Sequence, residues 1–195
     1  MAAETTLTPF PTPSINAQNW PDHFLHDPTC QIPCWENITP NQTDINTAKR
    51  IVASISGIRV IYLKSNEIGW YFNDKSNRGG SIFANENGIV IKIDLSLSDD
   101  ETLGLSNVTE FFGKPHAVLE GYDCSFTISY RYQGMLLLTP GSPYCAGKSV
   151  DIAPTTQINR IILFSLNNKE SGFDESTFTN EILWDGYKTY DFTNK

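Results

Sequence analysis

The sequence predicts an α+β protein built as two helix-plus-antiparallel-sheet repeats, with the helices packed on one face of the sheet. Apolar residues recur at helical spacing twice, at Ile45, Ala48, Val52 and Ile55 and again at Leu105, Val108, Phe111 and Phe112. Each pattern stops at a glycine, Gly57 or Gly113. Each is then followed by short runs in which apolar and polar residues alternate between turn residues, as half-buried antiparallel strands require. A chain of 195 residues, 39% of them hydrophobic, is long enough to bury one core. Residues 29–192 are therefore expected to form a single domain, with repeats over about 29–97 and 98–192.

Residues 1–28 carry prolines at 9, 11, 13, 21 and 28 without helical or alternating periodicity, and read as an extended tether from which Trp20 and Phe24 can dock on the domain. Thr39-Pro40-Asn41-Gln42 has turn chemistry, Thr43 is the expected N-cap of the first helix, and Asp44 suits the positive end of its dipole. Strands are expected at 58–63, around Ile68, Trp70 and Phe72, around Ile82 and Ala84, and at 89–95, with Ile89, Ile91, Ile93 and Leu95 on one face. Asn87-Gly88 marks the last hairpin. After the acidic loop Ser98-Asp99-Asp100-Glu101, Thr102 is the expected cap of the second helix. Phe126, Ile128, Tyr130 and Tyr132 alternate with polar residues, Gln133-Gly134 turns the chain, and strands follow at 135–138, 150–152 and 158–166. A short helix is expected over 177–183, packing Ile182 and Trp184 on the sheet.

The formal charge of −8 removes the electrostatic attraction on which nucleic-acid binding rests and disfavours anionic membrane surfaces. No apolar run is long enough to span a bilayer, and residues 1–28 lack the basic and apolar regions of a signal peptide. Membrane attachment is expected only through an N-terminal anchor outside this chain. The four cysteines fall as Cys30 with Cys34 and Cys124 with Cys145, and in a chain rich in Gly, Pro, Ser, Thr and Asn this favours disulfides in an oxidising, extracytoplasmic compartment over buried free thiols.

Three stretches carry a resemblance: Pro33-Cys34-Trp35-Glu36-Asn37-Ile38-Thr39-Pro40-Asn41-Gln42-Thr43, then Thr102-Leu103-Gly104 with Gly113-Lys114-Pro115, then Trp184-Asp185-Gly186-Tyr187. Together they resemble an uncharacterised family of bacterial secreted lipoproteins with the pattern PCW-x-G-I-x-P-G-x-T, TLG, G-x-P and W-x-G-Y. The chain departs from that pattern at Asn37 and Asn41, where the family has glycine; asparagine tolerates left-handed backbone better than most residues. The architecture is similar to that of BamE and the β-lactamase inhibitor protein. That likeness implies a non-catalytic binding module whose partner is a protein or a cell-envelope component.

Candidate chemistry is sparse. Asp22, His23, His26, Asp27, Cys30 and Cys34 crowd one stretch, but their spacing matches no common zinc module and paired thiols could not ligate; no metal or cofactor is expected. C-x3-C is not the C-x-x-C of redox enzymes. No G-x-S-x-G, H-E-x-x-H or P-loop occurs, and His116 stands alone, so no catalytic residues are assigned. Asp99, Asp100 and Glu101 lack the ligand spacing of a calcium loop. The sequons at Asn37, Asn41 and Asn107 are at the frequency chance gives. Strand alternation leaves Tyr71, Phe83, Lys92, Thr127, Ser129 and Arg131 on the face away from the core, the candidate binding face. The alternative is a cell-envelope or carbohydrate-directed hydrolase using paired carboxylates, drawn from residues such as Asp94 or Asp123, with the surface aromatics, which would need two carboxyls roughly 5 to 10 Å apart in a cleft. A minor alternative is a metal-binding protein using the cluster from His23 to Cys34.

Overall fold

A nine-stranded antiparallel sheet organises the molecule, a computed structural model that describes residues 20–27, 30–73, 79–97, 103–120, 125–141, 149–166 and 181–192. Its strands are β1 (Ile58–Leu63), β2 (Glu67–Phe72), β3 (Gly79–Ala84), β4 (Val90–Ser96), β6 (Ala117–Glu120), β7 (Phe126–Tyr130), β8 (Met135–Leu138), β11 (Arg160–Phe164) and β12 (Ile182–Leu183). They lie in the order β1-β2-β3-β4-β11-β8-β7-β6-β12, so β4 and β11 meet at the centre. Two small ribbons pair β5 (Leu103–Gly104) with β10 (Gln157–Ile158) and β9 (Ser149–Asp151) with β13 (Thr189–Asp191). The helices are α1 (Trp20–His26), α2 (Ile45–Ser54) and α3 (Leu105–Phe112). The protein is therefore a mixed α+β fold dominated by antiparallel sheet.

Helix α2 forms where the spacing predicts it and buries Ile45, Ala48, Ile51 and Val52. Burial of Ile45, Ile51 and Val52 stabilises by roughly 1.5–3 kcal/mol each. Its N-cap is Asp44 rather than the expected Thr43: Asp44 accepts from the backbone N–H groups of Asn46 and Thr47. Thr43 Oγ1 instead accepts from Thr39 N–H and closes the preceding turn. That turn is stitched to the β3–β4 hairpin, because Asn41 N–H donates to Val90 C=O and Ile45 N–H to Gly88 C=O. Helix α3 starts at Gly104 without a side-chain cap and stops at Gly113, whose φ of 78° needs a residue lacking Cβ. The expected cap Thr102 lies outside the described residues.

Where the sequence reads as a tether, residues 20–26 form α1, and Phe24 and Leu25 are buried in the main core. Pro21 does not prevent this, since the missing N–H falls in the first turn where it has no intrahelical partner. Residues 1–19 lie outside the described residues. Of the helix expected over 177–183, residues 177–180 also lie outside them, and Ile182–Leu183 form strand β12 instead, paired with Val118 and Ala117 of β6. Tyr132 leaves the strand pattern in a 3-10 turn (Arg131–Gln133) and is 69% exposed.

One face of the sheet carries the main core. Ile68, Trp70, Ile82, Ile93, Leu95, Ile128, Leu137, Ile161 and Leu163 meet the apolar sides of the helices there. A bulge between Phe83 and Ala84 pairs Ala84 with Val90 and sends Val90, not Ile91, into step with Ile93 as a fully buried side chain. The opposite face is polar over β1–β4, but over β8 and β11 it holds a second apolar cluster of Leu136, Ile162 and Phe164, all buried. The sheet thus has not one greasy face but one and a half.

Candidate functional site

The polar half of the outer face contains a groove of about 280 Å³, lined by Tyr62, Glu67, Tyr71, Ser81, Phe83, Asp94, Ser96 and Arg160. Register explains the convergence. Gly69 pairs with Ser81, Ser81 with Asp94, and Asp94 with Ile162, while Ser96 faces Arg160, so these positions point to one side of four adjacent strands. Gly69 leaves room that the ring of Tyr62 fills, and a Cβ there would overlap the ring. Tyr62 is then held in place by its hydroxyl, which donates to Glu67 Oε1 at 2.9 Å and lies 3.1 Å from Ser81 Oγ. Arg160 forms a two-pronged ion pair with Asp94, its Nε donating to Oδ1 at 2.6 Å and its Nη2 to Oδ2. Hydrogen bonds from Lys64 and Tyr62 keep the Glu67 carboxyl below its usual pKa.

Of the six expected binding-face residues, Tyr71, Phe83 and Lys92 come together here. Tyr71 and Phe83 line the groove, and the Lys92 ammonium sits 4.3 Å from the centre of the Phe83 ring. Thr127 and Ser129 share the outer side but lie on β7, three strands beyond β4 and so about 14 Å away. Ser129 is fully buried beside Leu136, its paired residue on β8, and cannot meet a ligand. Arg131 lies past the end of β7, where its guanidinium pairs with Glu181 at 2.8 Å; His116 Nε2 is 3.1 Å from the same carboxylate oxygen. Sequence reasoning missed Tyr62, Glu67, Ser81 and Arg160 as a group. Glycines inside strands, Gly69 and Gly79-Gly80, were the available signal that something approaches the backbone closely.

A second constellation sits beside the disulfide that joins Cys30 and Cys34. Trp35 and Ile38 exchange backbone hydrogen bonds across Glu36 and Asn37, whose φ values of 52° and 62° are those of a tight mirror-image turn. The Trp35 ring stacks on Trp70 at 4.9 Å, which anchors the turn on the core. Glu36 Oε1 lies 3.0 Å from His23 Nε2, and Asp27 Oδ2 lies 3.9 Å from the same nitrogen. Burial, aided by the neighbouring Asp27 charge, pushes the Glu36 carboxyl up to about 7. The cysteines expected as ligands in the metal reading are bonded to each other and drop out of it. Cys124, Cys145, Asp99, Asp100, Glu101 and Asp123 lie outside the described residues.

Comparison with protein-family models, curated proteins and solved structures finds no match. Among the described residues no helix is long and apolar enough to cross a membrane.

Proposed function

We propose that the protein is a non-catalytic, extracytoplasmic binding or scaffold module of lipoprotein type, which takes a protein or cell-envelope partner on the outer face of β1–β4. The observation that carries this reading is the groove itself. Aromatic rings, a cation over one of them and an orienting ion pair converge on a surface whose main walls are already fixed by hydrogen bonds, so little order is lost when a partner docks. The Cys30–Cys34 bond supports an oxidising compartment. Membership of the secreted lipoprotein family is part of the same proposal, supported by Asn37 and Asn41 standing at left-handed φ where that pattern has glycine.

The two-repeat description belongs here as well. Helix α2 precedes the meander β1 to β4, and α3 precedes β6, β7, β8 and β11, with the last strand of each set at the centre of the sheet. That order is the one two copies of a helix-plus-four-strand unit would give if joined back to back. The hydrolase alternative uses the same groove and is less favoured. Glu67 is held ionised by Lys64 and Tyr62, so it is not poised to donate a proton to a leaving group, and both oxygens of Asp94 are already engaged by Arg160.

A photo-crosslinking amino acid at Tyr71, compared with one at the exposed Asn46 on the helix side, tests the reading in bacterial envelope extracts. Adducts from position 71, reduced by Phe83→Ala, are expected. Adducts from position 46 alone would sink it.

A further inference from the structure

We propose that His23, Asp27 and Glu36 form a binding site for one divalent first-row metal ion, with zinc the best match. The imidazole nitrogen and one oxygen of each carboxylate all lie within 4.8 Å of one another. A tetrahedral zinc ion with ligand bonds near 2.0–2.1 Å sets its donors about 3.3 Å apart. The observed separations of 3.0 Å from His23 to Glu36 and 3.9 Å from His23 to Asp27 bracket that value, so small side-chain rotations complete the geometry.

The donor set selects the ion. A nitrogen ligand disfavours calcium and magnesium, and the absence of a free thiolate at Cys30 and Cys34 disfavours soft monovalent copper. Two carboxylates and a neutral imidazole carry the charge a dication cancels. Three protein ligands leave a fourth tetrahedral position for water or a partner's donor group.

Independent support comes from Glu36. Its side chain is 4% exposed, and its carboxylate is aimed into the cluster. The turn does not call for it, because a left-handed central position is filled best by glycine or asparagine. A carboxylate buried at a position where the backbone prefers another residue is accounted for by what its oxygens hold. The ligands also come from two separate segments. His23 stands on α1 and Asp27 directly follows its last residue, while Glu36 belongs to the turn pinned by the disulfide and by Trp35, so the ion clamps the C-terminal end of α1 to the domain.

The test uses the full chain without reductant, stripped with chelator, titrated calorimetrically with zinc chloride, and assayed for retained metal by elemental analysis after desalting. One equivalent per chain is expected, with affinity reduced about tenfold or more in His23→Gln and in Glu36→Gln, in line with the loss of ligand support. His26→Gln and His116→Gln should bind as the unsubstituted chain does. Zinc should raise the melting temperature of the unsubstituted protein and not that of His23→Gln. If Glu36→Gln does not fold, Asp27→Asn and His23→Gln, at partly exposed positions, carry the comparison. Substoichiometric zinc, equal affinity in all variants, or tighter binding of calcium than of zinc overturns the assignment.

Discussion

Asp44 does two things at the first helix: it caps the N-terminus and it holds a negative charge against the helix dipole. Asp44→Ala should cost about 1 kcal/mol in urea denaturation at pH 7. Hydrogen bonding from Thr47, through its side chain and its backbone, keeps the folded-state pKa of Asp44 below its ordinary 3.8. The contribution is therefore complete above that value and is lost as pH falls through the lower folded-state pKa, so wild type and variant should converge in strongly acidic solution. At this scale the sequence was readable wherever one residue's chemistry decides the backbone. Asn37 and Asn41, φ 62° and 66°, stand where their tolerance of left-handed backbone suggested. Glu36, φ 52°, carries no such mark, since glutamate has no preference for that region; its place in a turn and in the His23 cluster emerges only in three dimensions.

Among elements, the disulfide turn and α1 depend on each other. The Cys30–Cys34 loop is short, so loop-closure entropy assigns its loss only about 2 kcal/mol. The paired substitution Cys30→Ser with Cys34→Ser should lower stability by that amount while leaving crosslinking from Tyr71 unchanged, because Tyr71 faces the outer side of the sheet and this turn packs on the core side, against Trp70. Helices α2 and α3 were legible because their apolar spacing repeats over more than two turns. Helix α1 was not: its seven residues make fewer than two turns, and the prolines around it mask it. Its stability comes from tertiary contacts, with Phe24 against Phe112 at 6.1 Å and His26 against Phe111 at 5.2 Å, which no local pattern can announce.

For the whole molecule, the seam between β4 and β11 matters most, because strands distant in sequence meet there as Ile93 with Leu163 and Leu95 with Ile161. Leu163 is fully buried, and Leu163→Ala should cost about 2–5 kcal/mol, with tryptophan fluorescence and circular dichroism still following one unfolding transition. Two transitions would mean that the halves on either side of the seam unfold separately. Sequence alternation marked β1 to β4, β7, β8 and β11, but it missed the four-residue β6 and, at the bulge beside Ala84, put Ile91 where Val90 turns inward; the pairing of β4 with β11 rests on contacts that periodicity does not encode. The runs Met135–Leu138 and Arg160–Phe164 did hold a clue to the second apolar cluster, since consecutive apolar residues mark strands buried on both faces.

The ends of the sheet bear on how copies of this protein coexist in solution. An outer strand offers unpaired amides to any neighbouring chain, and β1 is such a strand among those described, with Ile61 and Leu63 both exposed. The irregularity between Val60 and Tyr62 interrupts its ladder, and Arg59 adds a charge near its start. At the other end β12 is only two residues long. Among the described residues neither border presents a long regular template, and that is a safeguard against edge-to-edge stacking into fibres.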